Sequence, residues 1–434
     1  MVKIVIELQK GKADFMPGNN NITESWERDY LRDLAKKQLE IANSGEMKKK
    51  EALWYAHNDY LTYEPVVTLE RGTFNREFAH LWNPKCVSET ARNLEYYFHS
   101  NMVQYEYIRD DTVMPKEFAV GIWASLKPFD IDVKRERTIG ETFAFKIDYE
   151  IKELEADFGK LKKSPLYCNF DDAANYMKVV GDILGDLMPA RLTFGPGVSF
   201  SQNIHNIMGL ETMMISMYDH PGLFHQMMRL LSDDYIELWD MAEKNGWIRP
   251  NNFNVGVPQG SYGFTNMLPV SKGENAKLSL GDVWGYMDSQ ETSEISPDMY
   301  REFFFPYYKK VSGRFGRFNY GCCEGASAIW EKSLSKYENL SKVSVSNWCD
   351  EEYIGEALRG KNITYHRKPF PNYLGVDKEF DEKGFSAHIE KTLKAAKGCF
   401  LEFSYRDVYS LQGDIYRGKK AYETIKKCID KFWN

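Results

Sequence analysis

The stretch from Lys342 to Phe403 decides the fold, because strand-like and helix-like patterns alternate along it. It contains Lys342-Val-Ser-Val-Ser346, Asn362-Ile-Thr-Tyr-His366 and Cys399-Phe-Leu-Glu-Phe403, each short and rich in β-branched or aromatic residues. The apolar spacing over 385–397 is typical of an amphipathic helix. Strands that alternate with helices predict βα units and a mostly parallel sheet.

The same alternation extends towards the amino terminus as far as about residue 64. Further strands are predicted at 65–69, 118–123 and 190–194, and helices at 207–218, 221–245, 297–315 and 326–336. No linker interrupts this region, so the pattern predicts one α/β domain over 64–434, a (β/α)8 TIM-type barrel. In such a barrel the chemistry lies at the carboxyl ends of the strands, in the loops that follow them.

Residues 1–63 have a different pattern, which predicts an N-terminal helical cap packed on the barrel. One helix is expected to begin at Thr23 or Ser25, where a capping residue precedes regularly spaced apolar side chains. A second helix is expected from Met47 to about Tyr60.

Composition excludes several classes of protein. The 434-residue chain has 43% hydrophobic residues and a net charge of −7, which is ample for a core and argues against a nucleic-acid partner. No segment is long and apolar enough for a membrane span or a signal peptide, so no membrane association is expected. Seven dispersed cysteines do not suggest a disulfide framework. We therefore expect a soluble, cytoplasmic protein with free thiols.

The most distinctive group of reactive residues is Asn319-Tyr-Gly-Cys-Cys-Glu-Gly325, between a predicted strand and a helix. Thiolate and carboxylate or imidazole ligands suit a catalytic zinc, which leaves one position open for substrate. The pattern predicts a zinc site with Cys323 and Glu324 as ligands and Cys322 in reserve. The alternative is that the cysteines only pack, as free cysteines often do.

Two later strand ends offer more candidates. His366 and Lys368 close one predicted strand, and His366 is predicted as a third zinc ligand. Glu402 lies within an apolar strand, so it should be functional, metal-bound or paired with a Lys or Arg inside the barrel. Arg406 follows that strand. We predict catalytic roles for Lys368, Glu402 and Arg406.

Asp282 and Glu291 complete the predicted catalytic set. Asp282, in Ser279-Leu-Gly-Asp-Val-Trp-Gly285, is expected to follow a strand and to orient a ligand, and Glu291 continues that loop. Helix capping is the competing explanation for the acids near Ser296. The chain has neither a phosphate-binding G-x-x-x-x-G-K-[ST] loop nor a G-x-S-x-G nucleophile elbow.

The order of several motifs resembles the uroporphyrinogen decarboxylase superfamily over roughly residues 64–434. Gly281-Asp-Val-Trp-Gly285 and the segment 295–308 resemble its aspartate loop and the helix that follows, and 219–225 resembles its mid-chain helix junction. Tyr320-Gly-Cys-Cys-Glu324 falls where the corrinoid-linked methyltransferases of this superfamily carry a His-x-Cys-Gly zinc motif.

Departures from the family pattern separate its branches. The decarboxylases carry an arginine-rich segment that grips substrate carboxylates, and the corresponding region 66–74 has only Arg71. Porphyrinogen decarboxylation is therefore disfavoured. The methyltransferase histidine would fall at Tyr320 or Gly321, so Glu324 or His366 would have to replace it.

The resemblance implies a zinc-dependent methyltransferase that exchanges a methyl group between a small methoxy or methylamine compound, or a thiol or folate acceptor, and a corrinoid protein. The chain has no D-x-H-x-x-G corrinoid motif, so cobalamin would come on a separate partner protein. The alternative is a metal-free decarboxylase or lyase with Asp282, Lys368 and Arg406 around a carboxylate. A third reading is a binding protein that kept the barrel and lost the chemistry.

Overall fold

A computed structural model describes residues 24–137, 145–269 and 277–433 of the chain. The candidate Thr23 therefore lies outside the described residues. Within them no helix is long and apolar enough to traverse a lipid bilayer.

Helices and strands alternate through most of the described chain. The helices are α1 (Ser25–Ala42), α2 (Gly45–Asn58), α3 (Glu89–Val103), α4 (Leu154–Asp157), α5 (Phe170–Leu184), α6 (Phe200–Asp219), α7 (Pro221–Lys244), α8 (Pro297–Phe303), α9 (Phe305–Ser312), α10 (Ala326–Ile329), α11 (Glu351–Leu358), α12 (Asn372–Gly375), α13 (Glu382–Ala395) and α14 (Arg417–Phe432). The strands are β1 (Val66–Leu69), β2 (Phe118–Ile122), β3 (Ala124–Leu126), β4 (Lys134–Arg137), β5 (Phe145–Asp148), β6 (Leu166–Cys168), β7 (Ala190–Phe194), β8 (Gly197–Val198), β9 (Gly256–Val257), β10 (Ser261–Tyr262), β11 (Trp284–Met287), β12 (Arg317–Tyr320), β13 (Leu340–Val345), β14 (Thr364–Arg367) and β15 (Phe400–Tyr405).

A seven-stranded parallel sheet forms the centre of the molecule. Its strand order is β1-β15-β14-β13-β12-β11-β8, and β2 pairs with β7 in a separate parallel ladder. Three two-stranded antiparallel ladders, β3 with β6, β4 with β5 and β9 with β10, lie outside it. The α/β class and the parallel sheet are thus confirmed. No ladder joins β1 to β2 among the described residues, so strand pairing does not close the sheet into a barrel.

The two faces of the central sheet differ in chemistry because side chains alternate along each strand. One face carries apolar residues such as Val343 and Leu401, which belong to the main hydrophobic core with the helices. The other face carries polar residues, since Ser344 pairs with His366 and His366 with Glu402 in the strand register. Parallel strands usually bury apolar side chains on both faces, so a polar buried face marks a place where chemistry can occur.

Helix α2 and the segment around β9 and β10 cover the polar face. The indole of Trp54 donates to the carbonyl of Asp111 at 2.8 Å and packs with Phe264 in a small separate core. Asn58 donates to the carbonyls of Tyr262 and Phe264 at 3.0 and 2.8 Å. These contacts place His57 of α2 directly over the sheet, beside Glu402.

The two N-terminal helices agree with the sequence prediction in number and place. Helix α1 begins at Ser25, and Glu24 rather than Ser25 is its N-cap, in a capping box with Glu27. Glu27 is fully buried, and its carboxylate is satisfied there because it also accepts hydrogen bonds from Val87 and Ser88 at the start of α3. The side chain of Ser44 caps α2.

Candidate functional site

Polar residues from several strand ends meet at the carboxyl edge of the central sheet. We call this group the carboxyl-end cluster. It comprises Glu70 after β1, Ser199 after β8, Tyr286 and Asp288 at the end of β11, Cys322, Cys323 and Glu324 after β12, Lys368 after β14, and Arg406 and Asp407 after β15. The carboxyl ends of parallel strands are where α/β folds place their active sites.

A turn at Gly321 brings two thiols together at the centre of this cluster. Gly321 has a φ of +93°, a conformation that favours glycine, and a side chain there would press against Ser344. The Sγ atoms of Cys322 and Cys323 lie 3.6 Å apart, and Cys323 is exposed while Cys322 is partly exposed. In an extended strand neighbouring side chains point to opposite faces, so the turn is what allows both thiols to face one space.

Glu324 anchors the thiol loop to the neighbouring loop after β11. Its carboxylate accepts the backbone N–H of Cys322 at 2.7 Å and that of Ser289 at 2.9 Å. Burial and the nearby carboxylate of Asp288 raise the pKa of Glu324 to about 7. Because its two carboxylate oxygens accept backbone N–H groups from two loops, Glu324 holds the backbone of Cys322 in position.

Asp288 is the second buried acid of the cluster. It accepts hydrogen bonds from the hydroxyls of Ser199 and Tyr286, the latter at 2.8 Å. The Tyr286 hydroxyl in turn accepts the side-chain amide of Gln259 at 2.6 Å. Burial raises the pKa of Asp288 and that of Tyr286. The chain of hydrogen bonds offers a proton path between a phenol and a carboxyl group.

Two basic side chains, those of Arg406 and Lys368, lie near Cys322. Arg406 has one guanidinium nitrogen 3.9 Å from the sulfur of Cys322 and donates to the carboxylate of Glu70 at 2.7 Å. Lys368 is buried, donates to the backbone carbonyl of Gln259 and lies 2.8 Å from the Nε2 atom of His366. These groups could bind an anionic part of a substrate next to the thiols.

Beneath the cluster lies a buried charge network, formed by His57, Lys342, His366, Lys368 and Glu402. The ammonium of Lys342 donates to the carboxylate of Glu402 and to the hydroxyl of Ser261. The Nε2 atoms of His366 and His57 lie 3.3 and 3.7 Å from that carboxylate. All but Lys368 are at most 1% exposed, so their charges depend on one another and not on water.

The protonation states in this network follow from burial and pairing. Burial alone would raise the pKa of Glu402, but the adjacent His366 and Lys342 lower it well below its ordinary 4.5. Burial lowers the pKa of His366 well below 6.5, although the charge of Glu402 acts in the opposite direction. Burial also lowers the pKa of Lys342 and Lys368. Glu402 thus forms the ion pair with a lysine that was one of the two sequence-based alternatives.

The predicted zinc ligands Cys323, Glu324 and His366 do not form a compact group of ligand atoms. The ligand atoms of Cys323, Glu324 and His366 do not all lie within 4.8 Å of one another. His366 is occupied within the buried charge network, where it also contacts the Ser404 hydroxyl at 2.7 Å. The one group of that kind in the described chain is Glu153, Glu155 and His220, in which both acids are exposed.

Two members of the predicted catalytic set, Asp282 and Glu291, have their hydrogen-bond partners outside the carboxyl-end cluster. Asp282 was expected to follow a strand, and that placement is wrong: it precedes β11, at the opposite end of the sheet. There its carboxylate accepts the backbone N–H and hydroxyl of Ser279 at 2.8 Å, because it caps a short 3-10 turn. Glu291 lies in the 3-10 turn after β11 and accepts the hydroxyl of Ser201 at 2.7 Å.

Sequence reasoning overlooked several residues of the site, among them Lys342, Tyr286 and His57. Lys342 lies in the very strand that decided the fold, and its alternation with Val343 and Val345 could have revealed an inward-facing cation. Tyr286 could have been found in the same way from β11. His57 had no such pattern, because its role depends on how α2 packs on the sheet.

No model of a known protein family matches this chain, and the search of curated proteins found no match either.

Proposed function

We propose that this chain is an enzyme of the uroporphyrinogen decarboxylase superfamily, from its methyl-transferring side, and that it works with a separate corrinoid protein. The observation that carries the proposal is the pair of thiols at the carboxyl edge of the parallel sheet, 3.6 Å apart. The order of motifs around Gly281 and Tyr320 supports it. The methyl donor or acceptor would be a small methoxy, methylamine, thiol or folate compound.

The proposed fold is a (β/α)8 barrel with the helices α1 and α2 as an N-terminal cap. Eight parallel strands support it: β1, β2, β7, β11, β12, β13, β14 and β15. Strand β7 is followed after Gly195-Pro196 by β8, which pairs with β11, so the chain links the two parallel ladders. The polar face of the sheet would then be the barrel interior.

The separation of the two thiols is compatible with a zinc ion held by both sulfurs. Two Zn–S bonds of about 2.3 Å at a tetrahedral angle put the sulfurs about 3.8 Å apart, close to the 3.6 Å between Cys322 and Cys323. A carboxylate oxygen of Asp407 lies 3.9 Å from the sulfur of Cys323. Cys322 and Cys323 would hold the ion. Zinc would supply a Lewis acid for the methyl-bearing or methyl-accepting heteroatom.

The surrounding side chains have roles that follow from their contacts. Glu324 holds the backbone of Cys322 in place, and Arg406 lies beside its sulfur. Tyr286 and Asp288 can hold or pass a proton between the phenol oxygen and the carboxylate. Lys342 and Glu402 form an ion pair in the buried charge network beneath the carboxyl-end cluster. Asp282 and Glu291 are assigned no chemical step.

A metal-free lyase acting on a carboxylate substrate is the second candidate. It is favoured by one observation: the cations Lys368 and Arg406 both lie near Cys322, where they could bind a carboxylate. Asp282 cannot assist them from the far end of β11.

Zinc content separates the two candidates. Protein purified anaerobically without chelator should hold close to one zinc per chain, and Cys322→Ser and Cys323→Ser should each lose it. Cys168→Ser is the matched control, because that half-buried thiol lies on β6 outside the central sheet. Less than about 0.2 zinc per chain in the unaltered protein would favour the lyase.

A further inference from the structure

We infer that Cys322 and Cys323 are a redox-active dithiol, which a peroxide converts reversibly into a disulfide between adjacent residues. This goes beyond the proposed function, because it assigns a modification to the thiols whether or not they hold zinc. That oxidation inactivates the enzyme is a consequence that rests on the proposed function, since a disulfide removes both sulfurs as ligands.

Proximity and exposure support the reaction. The two sulfurs are 3.6 Å apart and would have to approach by about 1.5 Å to reach the S–S bond length of about 2.05 Å. Cys323 is exposed and Cys322 partly so, while Cys86, Cys399 and Cys428 are buried. The positive φ of Gly321 has already turned the loop so that the side chains face one another.

The covalent geometry of neighbouring residues makes the disulfide easy to reduce. The Cα atoms of adjacent residues are about 3.8 Å apart across a trans peptide, whereas disulfides usually join Cα atoms about 4.4–6.8 Å apart. A bond made outside that range is strained, and strained disulfides are the labile and regulatory ones. The pair therefore has the character of a switch and not of a structural crosslink.

The reaction is balanced with hydrogen peroxide as the oxidant. One sulfur attacks the peroxide, the O–O bond breaks, and a sulfenic acid and one water molecule form. The second sulfur then attacks the sulfenic sulfur, the S–S bond forms, and the oxygen leaves as a second water molecule. Both thiol hydrogens end in water, and a thiol reductant reverses the step.

Peptide mapping of the full chain tests this inference. The protein is treated with hydrogen peroxide, alkylated with N-ethylmaleimide and digested with trypsin, which releases 318–332 with both cysteines and 164–178 with Cys168. We expect the first peptide to lose both alkylations and two hydrogens, with recovery after dithiothreitol. The second peptide should remain alkylated throughout. In Cys323→Ser the remaining Cys322 should give a sulfenic acid and no internal disulfide.

The inference is overturned if both cysteines of 318–332 stay alkylated under peroxide that oxidises glutathione in the same tube. It is equally overturned if they reach sulfinic acid without passing through the disulfide. Because the readout is mass and not activity, a failure of the proposed methyl transfer leaves this result intact. Zinc release measured in parallel, with loss expected only in peroxide-treated protein, tests the inhibitory consequence separately.

Discussion

The buried pair of Lys342 and Glu402 allows the sharpest test of the interior. In Glu402→Gln the ammonium of Lys342, 1% exposed, would lose its ion-pair partner and keep neutral acceptors, the amide oxygen of residue 402 and the hydroxyl of Ser261, beside the faces of Trp54 and Trp284. Removing one partner of a buried ion pair costs about 3–5 kcal/mol, because the other charge is left without compensation. A typical domain has about 5–15 kcal/mol of stability in all.

Equilibrium urea unfolding measures this loss. With an m-value of about 3 kcal/mol per molar urea, a loss of 3–5 kcal/mol lowers the midpoint by about 1 M or more. The double variant Lys342→Met with Glu402→Leu removes both charges and should recover much of the loss, since apolar replacements of buried ion pairs are often neutral. The exposed pair of Arg32 and Asp186 supplies the control, and Asp186→Asn should leave the midpoint nearly unchanged.

Two outcomes would refute this reasoning. If Glu402→Gln lowers the unfolding free energy by less than about 1 kcal/mol, the charge of Lys342 is not held by Glu402. If the double variant is as unstable as the sum of the two single variants, the pair has no coupling.

Three further predictions concern the loop that carries the thiols and the buried Arg367 of β14. The pKa of Glu324 is about 7 in the folded protein, against an ordinary 4.5. Protonation of this carboxyl group therefore stabilises the folded state by about 3 kcal/mol below pH 4.5. That contribution is lost as the pH rises through 7. The unfolding free energy from urea titrations should fall between pH 5 and pH 8 in the unaltered protein, and it should fall less in Glu324→Gln. An equal fall in both proteins would contradict the raised pKa of Glu324. Gly321→Ala places a Cβ 3.1 Å from that of Ser344 at a φ of +93°, so it should cost about 1–3 kcal/mol and lower the melting temperature; an unchanged melting curve would show that the turn is not needed. Arg367→Met removes a buried guanidinium that donates to two carbonyls and pairs with Glu351 at 3.1 Å, so calorimetry should show a loss of about 3–5 kcal/mol, and a loss below 1 kcal/mol would contradict it.

Most of the central sheet could be predicted because its strands have a strong local pattern. The predictions near β1, β13, β14 and β15 are right to within a few residues, and in the separate ladder of β2 and β7 the prediction of 190–194 matches β7 residue for residue. Because Cys322, Cys323, Lys368 and Arg406 each follow a predicted strand, we could also predict that they lie at one edge of the sheet. Periodicity within a strand and the topology of parallel strands carry that information.

The arrangement within the site could not be predicted, because it depends on tertiary contacts. Glu324 was predicted as a metal ligand, and the sequence did not reveal that its carboxylate accepts two backbone N–H groups from two loops. His366 was expected at the mouth, and it is held deeper by Ser404 and Glu402. Asp282 was expected after a strand, although its local sequence makes a turn before one. Side-chain hydrogen bonds determine the position of each of these residues, and the pattern of residue types in the sequence does not show which hydrogen bonds form.

The position of His57 on helix α2 could not be predicted from the sequence either. The sequence indicated a helix there, but not that His57 would lie 3.7 Å from Glu402 over the polar face of the sheet. That placement depends on Trp54 and Asn58 binding carbonyls more than fifty residues away in the chain. Helix α2 thus contributes His57 to the buried charge network and does not only cover the sheet.

Methyl exchange with cobalamin tests the central claim most directly. The zinc-loaded protein is mixed anaerobically with free cob(I)alamin and methoxy or methylamine compounds, or with methylcobalamin and thiol or folate acceptors, while the cobalt absorbance is followed. We predict conversion between cob(I)alamin and methylcobalamin in at least one direction, retained in Cys168→Ser and lost in Cys322→Ser and Cys323→Ser. An unchanged cobalt spectrum in both directions, or conversion that persists without the two thiols, would contradict the account.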